Sequence, residues 1–175
     1  LGFVFMTIHL FAPVDKVETQ LLGTSVVSEM LAIHIAISII SYVAFTVAFV
    51  FALLYLILYR FLKEKKYSPI WSRLPSLGQT TKWISNSTLV GVPLLFISLI
   101  LGLEWALLTV EGMQFFDFKI IGSFILSCIY LVLLLLHRSG KLLGTTYAWC
   151  HIYAFLLVVL NFFLGNRLSD FHGWY

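Results

Sequence analysis

The chain has 175 residues, of which 61% are hydrophobic, 17% aromatic and 11% charged, with a formal net charge of +3. Soluble domains carry about 25% charged residues, so this sequence cannot clothe a water-facing surface, and disorder is excluded because it needs low hydrophobicity. The class left is an all-α polytopic transmembrane helix bundle, built as a single domain over residues 1–175.

Residues 1–12 are apolar, end at Pro13 and start on Leu. They lack the basic flank and small-residue cleavage site of a signal peptide. Twelve residues are too few to span, so they read as the outer half of a further helix in a chain truncated at its N-terminus. Residues 30–59 then form a charge-free run of thirty, enough for the about 20 residues that a bilayer core requires. The next connection holds Arg60, Lys63, Lys65, Lys66, Arg73 and Lys82. A second run covers 83–103, with Thr80, Thr81, Ser85 or Ser87 as candidate caps at its start. Residues 104–119 form a connection on the opposite side. The third run, 120–136, is seventeen residues and short unless Phe115, Phe116 and Phe118 join it. Arg138 and Lys141 punctuate the step to the fourth run, 142–166.

Eight basic residues therefore fall on one side and three (Lys16, Lys119 and Arg167) on the other. This bias places loops 60–84 and 137–144 in the cytoplasm. Residues 13–30, 104–118 and 166–175 form the outer rim. Trp71 and Trp83 lie near the inner interface, and Trp105 and Trp174 near the outer one.

Cys128 and Cys150 sit in apolar helices with no metal or redox spacing. The motif C-x-x-C-H is absent before His151, which removes covalent haem attachment. Phosphate-binding loops, H-E-x-x-H and serine elbows are also missing, so no enzyme is expected. Small residues Ala44, Ala48 and Ala52, with Ser98 and Gly102, read as close helix packing. The Lys63–Lys66 basic run reads as positive-inside signalling.

Ionisable side chains within a bilayer are costly, which makes the five histidines informative. His9 and His137 read as interfacial groups near helix ends. His151 stands about two turns into the fourth helix, where hydrogen bonding to a neighbouring helix and a functional role are equally open. His34 and His172 are brought to one membrane face by the topology, the first on a face continuing through Ser38, Ser41 or Tyr42, and Phe45. Two imidazoles above an aromatic rim suit bis-histidine haem ligation, although interfacial aromatics are more often anchors.

The segment 34–45, HIAISIISYVAF, resembles the H-x6-S-Y-x-x-F/L opening of the core helix in cytochrome c assembly proteins of the CcsA/CcmC type. Arg73 to Leu77 (RLPSL), Gly91-Val92-Pro93 and the closing Phe171-His172-Gly173-Trp174 are similar to the HemX-like branch of that superfamily. The haem-presenting members carry a tryptophan-rich outer segment ending in Trp-Asp. Here Trp105 and Asp117 keep their places, with Phe115, Phe116 and Phe118 where tryptophans are expected. That departure points to the haem-handling HemX-like branch rather than to a cytochrome c synthetase component.

The resemblance implies non-covalent haem b held near the outer face of a bacterial plasma membrane. His34 and His172 would be its axial ligands. Trp105, Phe115, Phe116 and Asp117 would form the haem-facing loop, and Lys119 or Arg167 would meet the propionates. The expected partners are haem, the lipid bilayer and a haem-biosynthesis or cytochrome c assembly protein, with no nucleic acid. Two other readings stay open. One is a haem-free membrane regulator or scaffold of a haem-biosynthetic enzyme, acting through its cytoplasmic loop. The other is a b-type cytochrome with a second haem at His151 or His137.

Overall fold

The computed structural model describes the backbone of residues 19–65, 74–109 and 118–168, and the side chains of residues 27, 29–65, 74–109 and 120–163. Four helices follow one another: α1 (Thr19–Lys63), α2 (Leu77–Thr109), α3 (Phe118–Arg138) and α4 (Gly144–Leu168). No strand occurs among the described residues. All four are long and apolar enough to cross a bilayer, as the charge-free runs lead one to expect.

Their ends have local causes. α1 carries Arg60 and Lys63 in its last turn, where cations complement the helix dipole. It stops where Lys65 turns to φ 51, the left-handed conformation that closes many helices. α2 starts on a reciprocal cap. The Ser76 hydroxyl accepts from the Gln79 amide at 3.2 Å, and the Gln79 side chain accepts from the Ser76 amide at 3.0 Å. This is the capping box, S-x-x-Q, and it starts the helix earlier than Thr80 to Ser87 suggest. The hydroxyls of Thr80 and Thr81 instead donate back to the carbonyls of Ser76 and Leu77. Replacing Ser76 with Ala removes one half of the box and should cost about 1 kcal/mol. The measurement is amide hydrogen exchange over residues 77–82, which should quicken while exchange at the centre of α2 stays unchanged.

The step from α3 to α4 is a tight turn. Gly140 takes φ 74 and Gly144 φ 64, and the amides of Gly140 and Lys141 return to the carbonyls of His137 and Leu136 at 3.0 Å each. The most notable departure from the sequence reading lies at the start of α1. Residues 19–30 continue the helix rather than forming a separate rim, because nothing after Pro13 breaks it except Gly23, which helices tolerate at a cost of about 1 kcal/mol.

Successive helices run antiparallel, and α1 and α2 share the most extensive contact. Ala48 and Ala52 are fully buried, in one cluster with Ile84 of α2 and Ala148 of α4. The small side chains let the backbones approach, which is how helices gain dispersion energy in lipid. Phe45 is also fully buried, and its ring stacks on Tyr130 of α3 at 4.0 Å and 15°. Phe49 stacks on Phe155 of α4 at 4.4 Å. Gly91 gives Phe45 its room, since a Cβ there would lie 2.7 Å from the ring.

The outer surface is the inverse of a soluble protein's. Ile40, Val43, Val50, Leu135, Leu160 and Phe163 are each more than half exposed. So broad an apolar surface is stable only against hydrocarbon, since large exposed apolar patches on a soluble monomer are rare. The chain is a membrane protein with transmembrane helices.

Candidate functional site

Of the expected haem-site residues, His34 and Trp105 fall among those described, and both line one cavity of about 260 Å³. Every helix contributes to its wall. His34, Ser38 and Tyr42 come from α1, Ser98, Gly102 and Trp105 from α2, Ser123 from α3 and Asn161 from α4. His9, Phe115, Phe116, Asp117 and His172 lie outside the described residues. Lys119 and Arg167 belong to α3 and α4, but their side chains lie outside them too.

His34 is held by backbone as well as side chain. Its Nδ1 lies 2.7 Å from the Ser98 carbonyl oxygen and 3.0 Å from the Ser98 hydroxyl. A carbonyl only accepts, so Nδ1 carries the hydrogen, and the lone pair of the neutral ring is on Nε2. The serines lock the arrangement from the other side. The Ser38 hydroxyl donates to the His34 carbonyl at 2.8 Å, and the Ser98 hydroxyl, 3.2 Å from the same carbonyl, donates to the Ser38 oxygen at 2.5 Å. Each bond ties α1 to α2 or to itself at one level, so the ring's position is fixed by the interface rather than by a loop.

Gly102 supplies the remaining condition. A Cβ there would fall 2.6 Å from His34 Cε1 and 2.9 Å from Nδ1. Only the bare glycine backbone lets the imidazole lie flat enough on α2 to reach the Ser98 carbonyl. The sequence marks Ser98 and Gly102 as packing residues, and they do pack, but against a histidine.

The opposite wall is polar as well. Asn161 Nδ2 donates to the Ser123 hydroxyl at 3.2 Å, and Tyr42 of α1 also faces Ser123. Gly122 makes the seat for Asn161, whose side chain fills the space a Cβ would take. Charge and histidine within the spans do not point to Asn161 and Ser123. The signal was present, as both are uncharged polar residues inside apolar runs.

The other two described histidines are elsewhere. His137 Nδ1 meets the Leu142 carbonyl at 3.0 Å, and its ring stacks on Tyr147 at 4.0 Å. It thus closes the α3–α4 turn rather than facing lipid headgroups alone. His151 is buried, with Nε2 3.0 Å from the Thr88 hydroxyl of α2. The sequence left this histidine open, and it does bond a neighbouring helix. Among the described residues no group of three His, Cys, Asp or Glu side chains could hold a metal ion. Among the described residues, the cavity offers one imidazole with a fixed tautomer, an indole and an apolar wall with polar points.

Residues 1–172 match the family described as cytochrome c assembly protein. The chain is 37% identical over its full length to Protein HemX of Bacillus subtilis (strain 168), and 32% identical to Protein HemX of Brevibacillus brevis. It spans 63% of the length of each of these curated relatives. No solved structure matches it. With nearly every residue inside the match, and with membrane-spanning helices throughout, the chain belongs to the cytochrome c assembly protein family.

Proposed function

We propose that the protein is a haem-handling carrier rather than an enzyme. It holds haem b non-covalently near the outer face of a bacterial plasma membrane, between His34 and His172 as axial ligands. The observation that carries this reading is the fixed ring of His34. Histidines that ligate metals nearly always donate their other ring N–H to a carbonyl or carboxylate, which sets the tautomer and raises the basicity of the ligating nitrogen. His34 has that bond, at 2.7 Å, and it stands at the edge of a cavity that Trp105 also lines. The donor set therefore fits an axial site from the His34 side.

When bound, haem would supply an iron that takes axial imidazole and changes oxidation state. The chain's own residues do the rest. Ser98 and Gly102 orient the His34 ring, and Trp105 packs on a flat apolar ligand, joined in this reading by Phe115 and Phe116. Asp117 belongs to the same loop, and Lys119 or Arg167 would meet the carboxylates of the ligand. Loops 60–84 and 137–144 face the cytoplasm in this orientation, because eight of the eleven basic residues fall there. A haem-biosynthesis or cytochrome c assembly protein is the partner class that the family suggests.

The test is a binding spectrum. Full-length protein purified in detergent and loaded with haem should show a Soret band with the sharp visible bands of a six-coordinate, low-spin iron. His34→Ala with His172→Ala should abolish the low-spin form and weaken haem retention by more than the about 10–100-fold that metal sites lose with a supporting group. A wild-type protein with no Soret band after loading would overturn the reading and leave a haem-free scaffold. A haem content near two per chain would point instead to a two-haem cytochrome.

A further inference from the structure

Polar side chains recur along the facing sides of α3 and α4 at helical spacing. On α3 they are Ser123, Ser127, Tyr130 and His137, at i, i+4, i+7 and i+14. On α4 they are Tyr147, His151 and Asn161, at i, i+4 and i+14. The helices are antiparallel, so Asn161 meets Ser123 at the cavity end and His137 stacks on Tyr147 at the turn end. Fourteen residues at 1.5 Å rise give a seam of about 21 Å, most of the hydrocarbon thickness.

Its middle is buried and incompletely bonded. The hydroxyls of Ser127, Tyr130 and Tyr147 are enclosed and have no hydrogen-bond partner. Ser85 of α2 neighbours the Tyr147 hydroxyl without a formed bond. Orphaned hydroxyls at this depth are expensive, and in native interiors such groups are usually served by ordered water. Ala154, buried on α4 between the levels of His151 and Asn161, adds little bulk to the seam.

His151 is the seam's central base. Its Nδ1 lies 3.1 Å from the Tyr147 carbonyl, so that nitrogen carries a hydrogen. Its Nε2 lies 3.0 Å from the Thr88 hydroxyl oxygen, which is also 2.9 Å from the Ile84 carbonyl. With the ring neutral, Thr88 donates to Nε2. With the ring protonated, Nε2 donates to Thr88, whose hydroxyl turns to donate to Ile84. Both protonation states are fully bonded, and one hydroxyl rotation separates them. A buried histidine kept only for packing needs one state, while this site accepts two. The titratable side chains packed around it are Tyr147 on its own helix and Tyr130 of α3. His137 of α3 lies behind Tyr147, and Tyr55 of α1 joins the cluster that contains Tyr147.

We propose that this seam is a proton path, loaded with water at the orphaned hydroxyls, that joins the α3–α4 turn to the His34 cavity with His151 as its central carrier. At each step one O–H or N–H bond breaks as the next forms. The Thr88 hydrogen passes to Nε2 as the Thr88 oxygen takes a proton from protonated water, and release reverses that exchange toward the other end. Nothing is oxidised or reduced, and each group returns to its starting state. Intramembrane histidines commonly serve such relays. A path ending at the cavity lets a ligand there change charge without leaving a net charge within the bilayer. The geometry does not depend on the identity of that ligand.

The experiment uses the full-length protein in vesicles of phosphatidylethanolamine and phosphatidylglycerol with trapped pyranine, under a valinomycin-set potassium potential. Wild-type vesicles should acidify at least ten-fold faster than protein-free ones. Thr88→Val, which removes the rotating hydroxyl, and Tyr130→Phe, which removes an orphaned one, should each slow this severalfold. His151→Leu should return it to the protein-free rate. Tyr153→Phe, at a position 59% exposed on the outer surface, should leave it unchanged. The two conservative variants keep the test valid if His151→Leu fails to fold. Wild-type flux at the protein-free rate, or flux indifferent to both Thr88→Val and Tyr130→Phe, overturns the proposal. Haem loading measured on the same samples separates this result from the fate of the haem reading.

Discussion

Gly102→Ala should weaken the proposed haem binding while leaving the bundle folded. The added methyl would sit 2.6 Å from His34 Cε1, well inside van der Waals contact, and the far partner is the helix backbone that carries it. The imidazole must therefore rotate or withdraw, and either movement breaks the 2.7 Å bond to the Ser98 carbonyl. Freed from that bond, the ring loses its fixed tautomer and its aim. Haem affinity should fall by about 10–100-fold. Ser98→Ala is the useful companion. It removes the two hydroxyl contacts to His34 but keeps the carbonyl, so its loss should be several times smaller. Equal affinity in Gly102→Ala and wild type, by haem titration, would show that the ring seat has no part in binding.

Gly91→Val should be the most destabilising single substitution in the α1–α2 interface. Its Cβ would press on Phe45 at 2.7 Å, and the Phe45 ring is held by Tyr130, stacked on it at 4.0 Å. The Ser41 hydroxyl also donates to the Gly91 carbonyl at 2.9 Å, so separating the helices breaks a buried hydrogen bond. Overpacking of this kind costs about 1–3 kcal/mol, with about 1 kcal/mol more for the hydrogen bond. Unfolding followed by helix content in mixed detergent should show the midpoint shift. Gly78→Ala is the control, since a Cβ there meets nothing closer than 3.9 Å. If Gly91→Val and Gly78→Ala unfold together, the Phe45 contact does not limit stability.

The fold was largely legible because lipid imposes a coarse grammar. Runs without charge mark the spans: three of the four lie wholly inside helices, and the fourth, 142–166, lies inside α4 from Gly144 onward. Helix ends were harder to read, for reasons that differ from end to end. Ser76 and Gln79 carry a cap that the sequence shows plainly, but they lie upstream of the charge-free run, so a search keyed to hydropathy begins too late. At α1 the sequence places a rim over 13–30, where the helix instead persists from Thr19. The residues of that stretch are polar enough to leave the membrane and regular enough to stay helical. For the cavity, the topology pairs His34 with His172 on one face above a rim that includes Trp105; His172 lies outside the described residues, and His34 and Trp105 line one cavity. Asn161 and Ser123 could not be paired from spacing along either helix alone, because their contact depends on the register of α3 against α4. The role of Gly102 was equally hidden, since a glycine looks the same in sequence whether it admits a backbone or a ring.

The unequal lengths of the helices bear on how the protein sits in its membrane. α3 has 21 residues and α1 has 45, so at 1.5 Å per residue they measure about 32 Å and about 68 Å. The first matches a hydrocarbon core of about 30 Å almost alone, whereas the second exceeds even the headgroup-to-headgroup distance of about 45 Å. Tilt shortens a rod's vertical reach only modestly, and the packing against α2 and α4 restricts it. α1 therefore stands clear of the bilayer like a mast fixed in a hull. A pull on its projecting part would be delivered along a stiff shaft to His34, at a depth that the short helix α3 holds constant.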